Sequence, residues 1–484
     1  MNRALAALLV ALASLFPLGG VSLAQENRPN LTEQYREAAG RIIGGALEDN
    51  GGWEKLTYLT TQIGNRLSGS VQLERATAWA AETMRAGGLQ NVRLQPVKVP
   101  HWVRGREYAT VIAPVEKPLL MLGLGGSTAT PAEGITAPVV VVRSYEELAA
   151  LGREKIQGKI VLYDVPFTNY GQTVRFRTGG APRAAQLGAV AMLLRSVTPR
   201  SLYTPHTGTM TADEASAAGS AIPGAAITVE DAEWIHRMTD AGKEVRVKLY
   251  MEAKMLPDAD SANVMGEVTG REKPDEVVVL GGHLDSWDVG QGAQDDGSGA
   301  VAAWEAVELL KRLGLRPRRT VRVVLWTNEE NGARGGRVYR EALGDDVKKH
   351  VAAIEMDGGA EKPVGFGFTL PGVDAKLEDP RYAAALEKLR QIGKLLEGID
   401  GGQISAGGSG TDIGPLTRDG VPSLGLRTVG EHYFDWHHTN ADTLDKVDPQ
   451  NFRRAIAHLA VMAYVLADMP ETLAVAAPAP AKPQ

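Results

Sequence analysis

The sequence contains no cysteine. This absence excludes disulfide frameworks, thiol nucleophiles and metal sites built on thiolates. The sequence also has no excess of positive charge, because it contains 52 Lys and Arg residues against 58 Asp and Glu residues, for a formal net charge of -6. No nucleic-acid partner is expected, since nucleic acid is bound by a basic face. Any metal ion must therefore be held by histidine and carboxylate side chains.

Long apolar runs are absent except for one near the start of the chain. The run from Ala4 to Leu18 follows a single positive charge and precedes the small residues of Ser22-Leu23-Ala24. This pattern predicts a signal peptide over residues 1–24, cleaved before Gln25. The alternatives are a buried helix or an uncleaved anchor, but the run is short for a bilayer span. We expect a secreted or periplasmic protein with no stable membrane anchor after cleavage.

The length of 484 residues and an apolar fraction of 44% predict a globular protein of two or three folded units. Helical patterns occur up to residue 94, short β-branched strands separated by glycine and proline follow between 111 and 249, and strands alternate with helices from 263. The predicted units are a signal peptide over 1–24, the N-terminal part of an α/β domain over 25–110, a β-rich insertion over 111–250, the remainder of the α/β domain with the candidate site over 251–470, and a disordered tail over 471–484.

The alternating region predicts an open, mixed and mostly parallel sheet flanked by helices. Apolar runs such as EVVVLGG at 276–282 and TVRVVLW at 320–326 are typical of parallel strands covered on both faces. In such sheets, ligands bind at the carboxyl ends of the strands. The polar side chains at or beside these ends are His283, Asp295, Glu329, Glu330, Asp357 and the adjacent His437 and His438.

Imidazole and carboxylate ligands favour zinc over magnesium or calcium. Five such ligands are too many for one tetrahedral zinc that keeps an open position, but they suit two ions with a shared carboxylate. Asp295 lies in a glycine-rich loop that could approach both ions. Of the adjacent Glu329 and Glu330, one could bind metal while the other takes a proton from water. Asp285 could orient the His283 imidazole.

Each of these residues alone also has an ordinary structural explanation. A histidine after a strand is commonly a hydrogen-bonded structural residue, and two adjacent glutamates are favoured at a helix start. Asp357 precedes two glycines and could form a turn, while Asp295-Asp296-Gly297 could be a turn and a helix cap. The histidine pair could be exposed. The ordered set along one sheet edge is what favours a site.

Four motifs follow one another along the chain: HLDSWDVGQGAQDDGSG (283–299), WTNEENG (326–332), EMDGG (355–359) and HHTNADT (437–443). In sequence and in order they resemble the motifs of the di-zinc aminopeptidase-like metallopeptidase family. The region 111–249 is similar to the protease-associated domain that some members carry as an insertion, chiefly at GKIVL (158–162) and AAQLGA (184–189).

The resemblance implies a role for each residue that matches a family motif. It implies that His283 and Asp357 bind one zinc ion, that Glu330 and His438 bind a second, and that Asp295 bridges the two. His438 is preferred to His437 because the family's ligand directly precedes a threonine or serine, here Thr439. Glu355 remains the only close rival of Asp357.

The resemblance also implies roles around the ions. Glu329 would be the general base, and Asp285 would orient the first histidine. Asp296 would lie directly behind the ligands, and the peptide bond from Asp295 to Asp296 would be cis. A loop near the substrate corresponds to Thr411 and Asp412. Residues close to the ligands in sequence that are expected either to line the substrate pocket or to pack behind it are Trp287, Tyr433 and Phe434.

The expected activity is that of an exopeptidase that hydrolyses terminal peptide bonds of short peptides or dipeptides, through a zinc-activated hydroxide and Glu329. A metal-dependent amidohydrolase or deacylase acting on a non-peptide amide would use the same chemistry and stays open. A glutaminyl cyclase-like enzyme and a non-catalytic binding protein on the same fold are weaker alternatives. The resemblance further implies a homodimer.

Overall fold

A computed structural model describes residues 30–210, 222–373 and 379–473. The predicted signal peptide lies outside the described residues, as do residues 474–484 of the predicted tail. The α-helices are α1 (Leu31–Glu48), α2 (Gly51–Tyr58), α3 (Val71–Ala86), α4 (Tyr145–Ile156), α5 (Tyr170–Gln186), α6 (Val229–Asp240), α7 (Ser298–Arg312), α8 (Arg334–Leu343), α9 (Pro380–Gly393), α10 (Gly414–Arg418), α11 (Tyr433–Trp436) and α12 (Pro449–Asp468).

The strands form two sheets of eight. The strands are β1 (Gln90–Val103), β2 (Glu107–Ala113), β3 (Lys117–Leu119), β4 (Met121–Gly123), β5 (Ile135–Val142), β6 (Ile160–Tyr163), β7 (Ala191–Arg195), β8 (Gly224–Ile227), β9 (Arg246–Met251), β10 (Lys254–Val268), β11 (Lys273–His283), β12 (Arg319–Trp326), β13 (His350–Glu355), β14 (Pro363–Thr369), β15 (Gln403–Ala406) and β16 (Ser423–Thr428).

The first sheet has the order β1-β10-β12-β11-β13-β16-β14-β15. Its centre is parallel, because β11 pairs in parallel with β12 and β13, and β13 with β16. The outer pairs β1–β10, β10–β12 and β14–β16 are antiparallel. The predicted open, mixed and mostly parallel sheet is therefore confirmed.

Helices cover both faces of this sheet, as its continuous apolar strands require. On one face α7 is buried from Ser298 to Leu310 and packs against α12. On the other face, Trp326 and its apolar neighbours pack with Tyr339 of α8 and Leu416 of α10. The strand ends are level, since His283 is paired with Trp326. The loops that follow β11, β12 and β13 consequently meet at one edge.

The second sheet, in the order β3-β2-β9-β5-β6-β7-β8-β4, is built from residues between Glu107 and Met251. Together with α4, α5 and α6 it forms a second unit. One apolar cluster lies wholly within this unit, and another also includes Leu67, Trp102, Trp287 and Val289 of the first unit. The predicted insertion was placed at 111–250, and its likeness to a protease-associated domain stays a prediction.

Two features differ from the sequence-based expectation. The long antiparallel ladder between β1 and β10 was not predicted, because much of β1 and the first half of β10 are exposed and lack a continuous apolar pattern. The packed chain also continues past residue 471, where the tail was expected to begin, since Leu473 is fully buried in the main core. None of the described helices combines the length and apolar character that a membrane span needs.

Candidate metal centre and cleft

His283 ends β11 and is almost wholly buried. Its Nδ1 lies 2.9 Å from the main-chain oxygen of Asp285, so Nδ1 donates and Nε2 is left to face other groups. Nε2 lies 3.3 Å from Asp295 Oδ1 and 3.7 Å from Asp357 Oδ1. This is the arrangement of a histidine whose second nitrogen is oriented for metal binding.

The Asp285 carboxylate acts differently from the expectation that it orients His283. Its Oδ1 lies 3.8 Å from His283 Nδ1, too far for a hydrogen bond. The two carboxylate oxygens instead accept the main-chain N–H groups of Glu329, at 3.1 Å, and Glu330, at 3.3 Å. The main-chain carbonyl of Asp285 orients the histidine, and its carboxylate holds the adjacent glutamates.

Asp295 lies between the two candidate histidines. Its Oδ1 faces His283, while its Oδ2 lies 3.1 Å from His438 Nε2. The peptide bond from Asp295 to Asp296 is cis. The Asp296 carboxylate accepts the N–H groups of His283 and Gly299, both at 3.0 Å, and so ties the loop to the strand end and to α7.

His438 is the better placed of the two adjacent histidines. Its Nε2 is 3.0 Å from Glu330 Oε2 as well as close to Asp295. His437 stacks on His438 at 3.5 Å between ring centroids, and its Nε2 is 3.5 Å from Asp295 Oδ2. Three overlapping groups therefore have ligand atoms within 4.8 Å of one another: His283 with Asp295 and Glu330, His283 with Asp296 and Asp357, and Asp295 with His437 and His438.

Burial makes this cluster unfavourable for negative charge. It raises the pKa of Glu329 well above its ordinary value and that of Glu330 to about 7, with nearby carboxylates adding to both effects. Burial by itself lowers the pKa of the His438 imidazole. The nearby Glu330 and Asp295 carboxylates outweigh this effect and raise that pKa to about 10. Glu330 Oε1 is buried without a hydrogen bond, and Asp295 Oδ2 has no well-aligned donor although His438 Nε2 lies 3.1 Å away. A surplus of buried carboxylates with orphaned oxygens fits a divalent cation.

Glu355, the rival of Asp357, has a different role. Its carboxylate accepts main-chain N–H groups from Thr411 at 3.0 Å, Asp412 at 3.3 Å and Ile413 at 2.9 Å. Its oxygens are therefore used to hold the loop beside the cleft. Within that loop Thr411 lines the cleft, whereas Asp412 is buried and neither of its carboxylate oxygens has a hydrogen bond.

A cleft of about 330 Å³ opens over the cluster. A larger cavity of about 650 Å³ lies at the opposite edge of the sheet, where β11, β12 and β13 begin, and contains none of the candidate ligands. Four residues of the second unit help to line the cleft over the cluster, namely Tyr170, Arg177, Thr178 and Thr209. From the first unit, the lining includes Asp295, Glu329, Glu330, Asp357, Thr411, Tyr433, Phe434, His437 and His438.

Trp287 does not line this cleft. It is 2% exposed and packs at the junction of the two units, with its ring centroid 6.5 Å from that of Trp102 and 5.6 Å from that of His438. This placement favours packing, the other role left open by the sequence. Tyr433 and Phe434 do line the cleft, and Phe434 stacks on Tyr170 at 5.0 Å.

Sequence reasoning missed Asp442 and Arg177. Asp442 lies within the HHTNADT motif and accepts N–H groups from Ala293 at 3.1 Å, Gln294 at 2.7 Å and Asp295 at 3.2 Å. The motif was a usable signal for Asp442. Arg177 is an isolated arginine of α5, and nothing in the sequence connects it with the ligands; in the structure its guanidinium lies 3.3 Å from His438 Nδ1.

Comparisons with known proteins show that the chain is similar to peptidases. The profile of Peptidase family M28 matches residues 263–463. Carboxypeptidase Q of Bos taurus is 45% identical over 424 residues, which cover 88% of this chain and 87% of that protein. The crystal structure of a peptidase M28 precursor from Shewanella amazonensis SB2B is 34% identical, with a TM-score of 0.86 over 93% of this chain and 100% of that one. A zinc aminopeptidase from Bacillus subtilis shares the fold, at 20% identity and a TM-score of 0.63, over 87% of this chain and 96% of that one.

Proposed function

Because the chain belongs to peptidase family M28, we propose that it is a zinc-dependent exopeptidase that hydrolyses terminal peptide bonds of short peptides or dipeptides. The observation that carries the proposal is the position of one buried carboxylate, Asp295, between His283 and His438, with Glu329 beside them in the same cleft. The predicted signal peptide supports a secreted or periplasmic location.

We assign two zinc ions to the cluster. His283 and Asp357 would hold one, Glu330 and His438 would hold the other, and Asp295 would be shared. The short distances from Asp295 to both histidines, and the orphaned oxygens of Asp295 and Glu330, support this division. Zinc at such a site supplies Lewis-acid chemistry, polarising a carbonyl group and acidifying a water molecule.

Glu329 is assigned as the general base. Its side chain lines the cleft beside the candidate ligands Asp357 and Glu330, and a carboxylate in this position can take up a proton from water. It would accept the proton of the attacking water and later donate it to the leaving amine. Asp285 keeps Glu329 in place through the main-chain N–H group, so that base and ligand are held as one unit.

Arg177 supports a substrate with a free carboxylate. It is the only Arg or Lys among the described residues that line the cleft, and its Nε is buried without a hydrogen bond. The same guanidinium is held by Tyr170, whose hydroxyl lies 2.8 Å from its NH2. A substrate carboxylate would pair with this charge. The volume of about 330 Å³ lies at the lower end for ligand pockets, which favours short peptides.

The test separates metal binding from proton transfer. Glu329→Gln is expected to keep about two zinc ions per chain and to lose about 10²- to 10⁴-fold in kcat on a dipeptide panel. Asp295→Ala is the matched comparison and is expected to lose both ions, because the shared ligand serves both. Zinc content by mass spectrometry and turnover by amine release are the measurements. Near-normal turnover in Glu329→Gln would refute the assignment of the base. Preference for N-acyl amides over peptides would refute the assignment of the substrate.

A further inference from the structure

The loop that carries His438 is held from outside its own unit. We call residues His432–His438 the ligand loop, and His206-Thr207, which follow β7 in the second unit, the anchor segment. Thr207 N donates to the main-chain oxygen of His438 at 2.9 Å. The His438 ring also contacts Thr207, since its Nδ1 lies 3.3 Å from the main-chain oxygen of Thr207. Main chain and imidazole of the ligand are thus fixed by one residue.

A second contact fixes the preceding residue. His206 Nδ1 lies 2.8 Å from the main-chain oxygen of His437, so the imidazole of His206 donates to the ligand loop. His206, Thr207, His437 and His438 are all buried, so water does not replace these bonds easily. The anchor segment therefore holds two successive residues of the ligand loop.

His438 needs such support because of its backbone conformation. Its φ is +62°, in the left-handed region that residues with a side chain rarely adopt. A conformation of this kind persists only where the surroundings hold it. In this conformation Nε2 of His438 reaches both Glu330 and Asp295. The bonds from the anchor segment are placed to maintain it.

The anchor segment is itself fastened to the second sheet. His206 N donates to Ser196 Oγ at 2.9 Å, and Ser196 Oγ donates to the carbonyl of Ile227 in β8 at 2.7 Å. Thr207 Oγ1 donates to the carbonyl of Gly123 in β4 at 2.7 Å. Through these bonds, strands β4 and β8 of the second sheet determine where the anchor segment holds the ligand loop.

We propose that His206 and Thr207 are positioning residues for His438, so that zinc affinity at the site of Glu330 and His438 depends on the second unit. This inference rests on the two-zinc site proposed above. Groups that orient a metal-binding histidine typically contribute about 10- to 100-fold to metal affinity. The second unit is then part of the metal centre as well as a wall of the cleft. The site of His283 and Asp357 makes none of these contacts among the described residues and keeps its affinity.

The experiment compares three substitutions in the full chain. His206→Leu removes the donor to His437 at similar volume, and His206→Asn restores an N–H donor. His236→Leu is the matched control, because His236 also lies in the second unit and loses a bond there, to Asp164 at 2.5 Å, without touching the ligand loop. Zinc binding is measured by equilibrium dialysis against a competing chelator, and each site is followed by the absorption bands of Co²⁺ substituted for zinc.

The expected result for His206→Leu is a loss of affinity of about 10-fold or more at one of the two sites, with the other unchanged. His206→Asn should recover much of that loss, and His236→Leu should bind like the unaltered protein. Two unchanged affinities in folded His206→Leu, or an equal loss at both sites, would overturn the proposal. If His206→Leu does not yield folded protein, Thr207→Val, which removes the bond to Gly123, is judged by the same outcomes. An unaltered chain that binds fewer than two ions would instead refute the two-zinc assignment itself.

Discussion

At the scale of single residues, the centre is a compact set of buried carboxylates with too few cations to balance them. Asp295 and Glu330 each have an oxygen without a hydrogen bond, and both are buried. Isolated buried charges of this kind are strongly unfavourable unless they are paired or coordinate metal. Asp285 has two roles in this set: its main-chain carbonyl orients His283, and its carboxylate holds Glu329 and Glu330.

Arg177 provides the prediction at this scale. Arg177→Met is expected to lower kcat/KM by about 10- to 100-fold for dipeptides with a free carboxylate, because a hydrogen bond to a charged group contributes about 1.5–3 kcal/mol. The same dipeptides with an amidated carboxyl end should be affected little. Steady-state kinetics on the paired substrates make the measurement. An equal decrease for both forms would show that Arg177 supports His438 instead of binding substrate.

The residues of the site differ in how visible they were in the sequence. The candidate ligands followed predicted strand ends and matched family motifs, and the family resemblance itself is confirmed by the relatives. The individual ligand and base assignments stay predictions. Arg177, His206 and Thr207 had no signal, because their relation to His438 is created only by packing across more than 200 residues of chain, as the separation of 261 between Arg177 and His438 illustrates. Trp287 could not be resolved because an aromatic beside a ligand packs or binds equally well.

At the scale of elements, strand register brings the candidate ligands together. The parallel ladders place His283 opposite Trp326 and Gly281 opposite Glu355, so the loops that carry Asp295, Glu329 and Asp357 leave the sheet at the same level. Apolar runs predicted the central strands well, because a strand covered on both faces has a distinctive composition. The strands β1 and β10 lack that composition and were not predicted.

Asp442 provides the prediction at this scale, because it holds the loop of Asp295 to the loop that follows His438. Asp442→Ala leaves three buried N–H groups without an acceptor, each worth about 1–3 kcal/mol. The free energy of unfolding should fall by several kcal/mol, and zinc binding should weaken. Urea denaturation and zinc titration are the measurements. Asp445→Ala, only three positions on and exposed, should change neither, and a comparable loss there would argue against a specific role for Asp442.

At the scale of the whole molecule, two units share one cleft and one apolar cluster. The apolar cluster at their junction contains Trp102 and Trp287 of the first unit together with strands of the second. Arg200 of the second unit also pairs with Asp435 of the ligand loop. The cleft therefore exists only when both units are folded and docked. The sequence of either unit alone does not predict it.

The stability of the whole molecule should depend on pH through His350, which lies at the start of β13, away from the metal centre. Burial and the nearby Arg322 lower the pKa of His350 to about 4. The unfolded chain, with a histidine pKa of about 6.5, binds more protons between pH 4 and 6.5, so stability falls as pH falls through that window. His350 contributes at most about 1.4 kcal/mol per pH unit to the change in the free energy of unfolding.

The measurement compares the unaltered protein with His350→Gln by denaturant unfolding at several pH values. Glutamine keeps a polar partner for Tyr339, whose hydroxyl lies 2.8 Å from His350 Nε2. The variant should show a smaller loss of stability between pH 6.5 and 4. Identical slopes for the two proteins would contradict the prediction.

The ladder between β1 and β10 has one more consequence, for how the second unit is joined to the first. The chain leaves the first unit after Val103 and returns at Lys254, and these two residues are direct partners in the ladder. The points where the chain enters and leaves the second unit therefore lie side by side, as the two strands do at the end of a β-hairpin. A two-residue turn such as Asn-Gly could connect them directly. Replacing the second unit with such a turn should therefore leave the register of the first sheet unchanged, while removing one wall of the cleft and the contacts that hold His438.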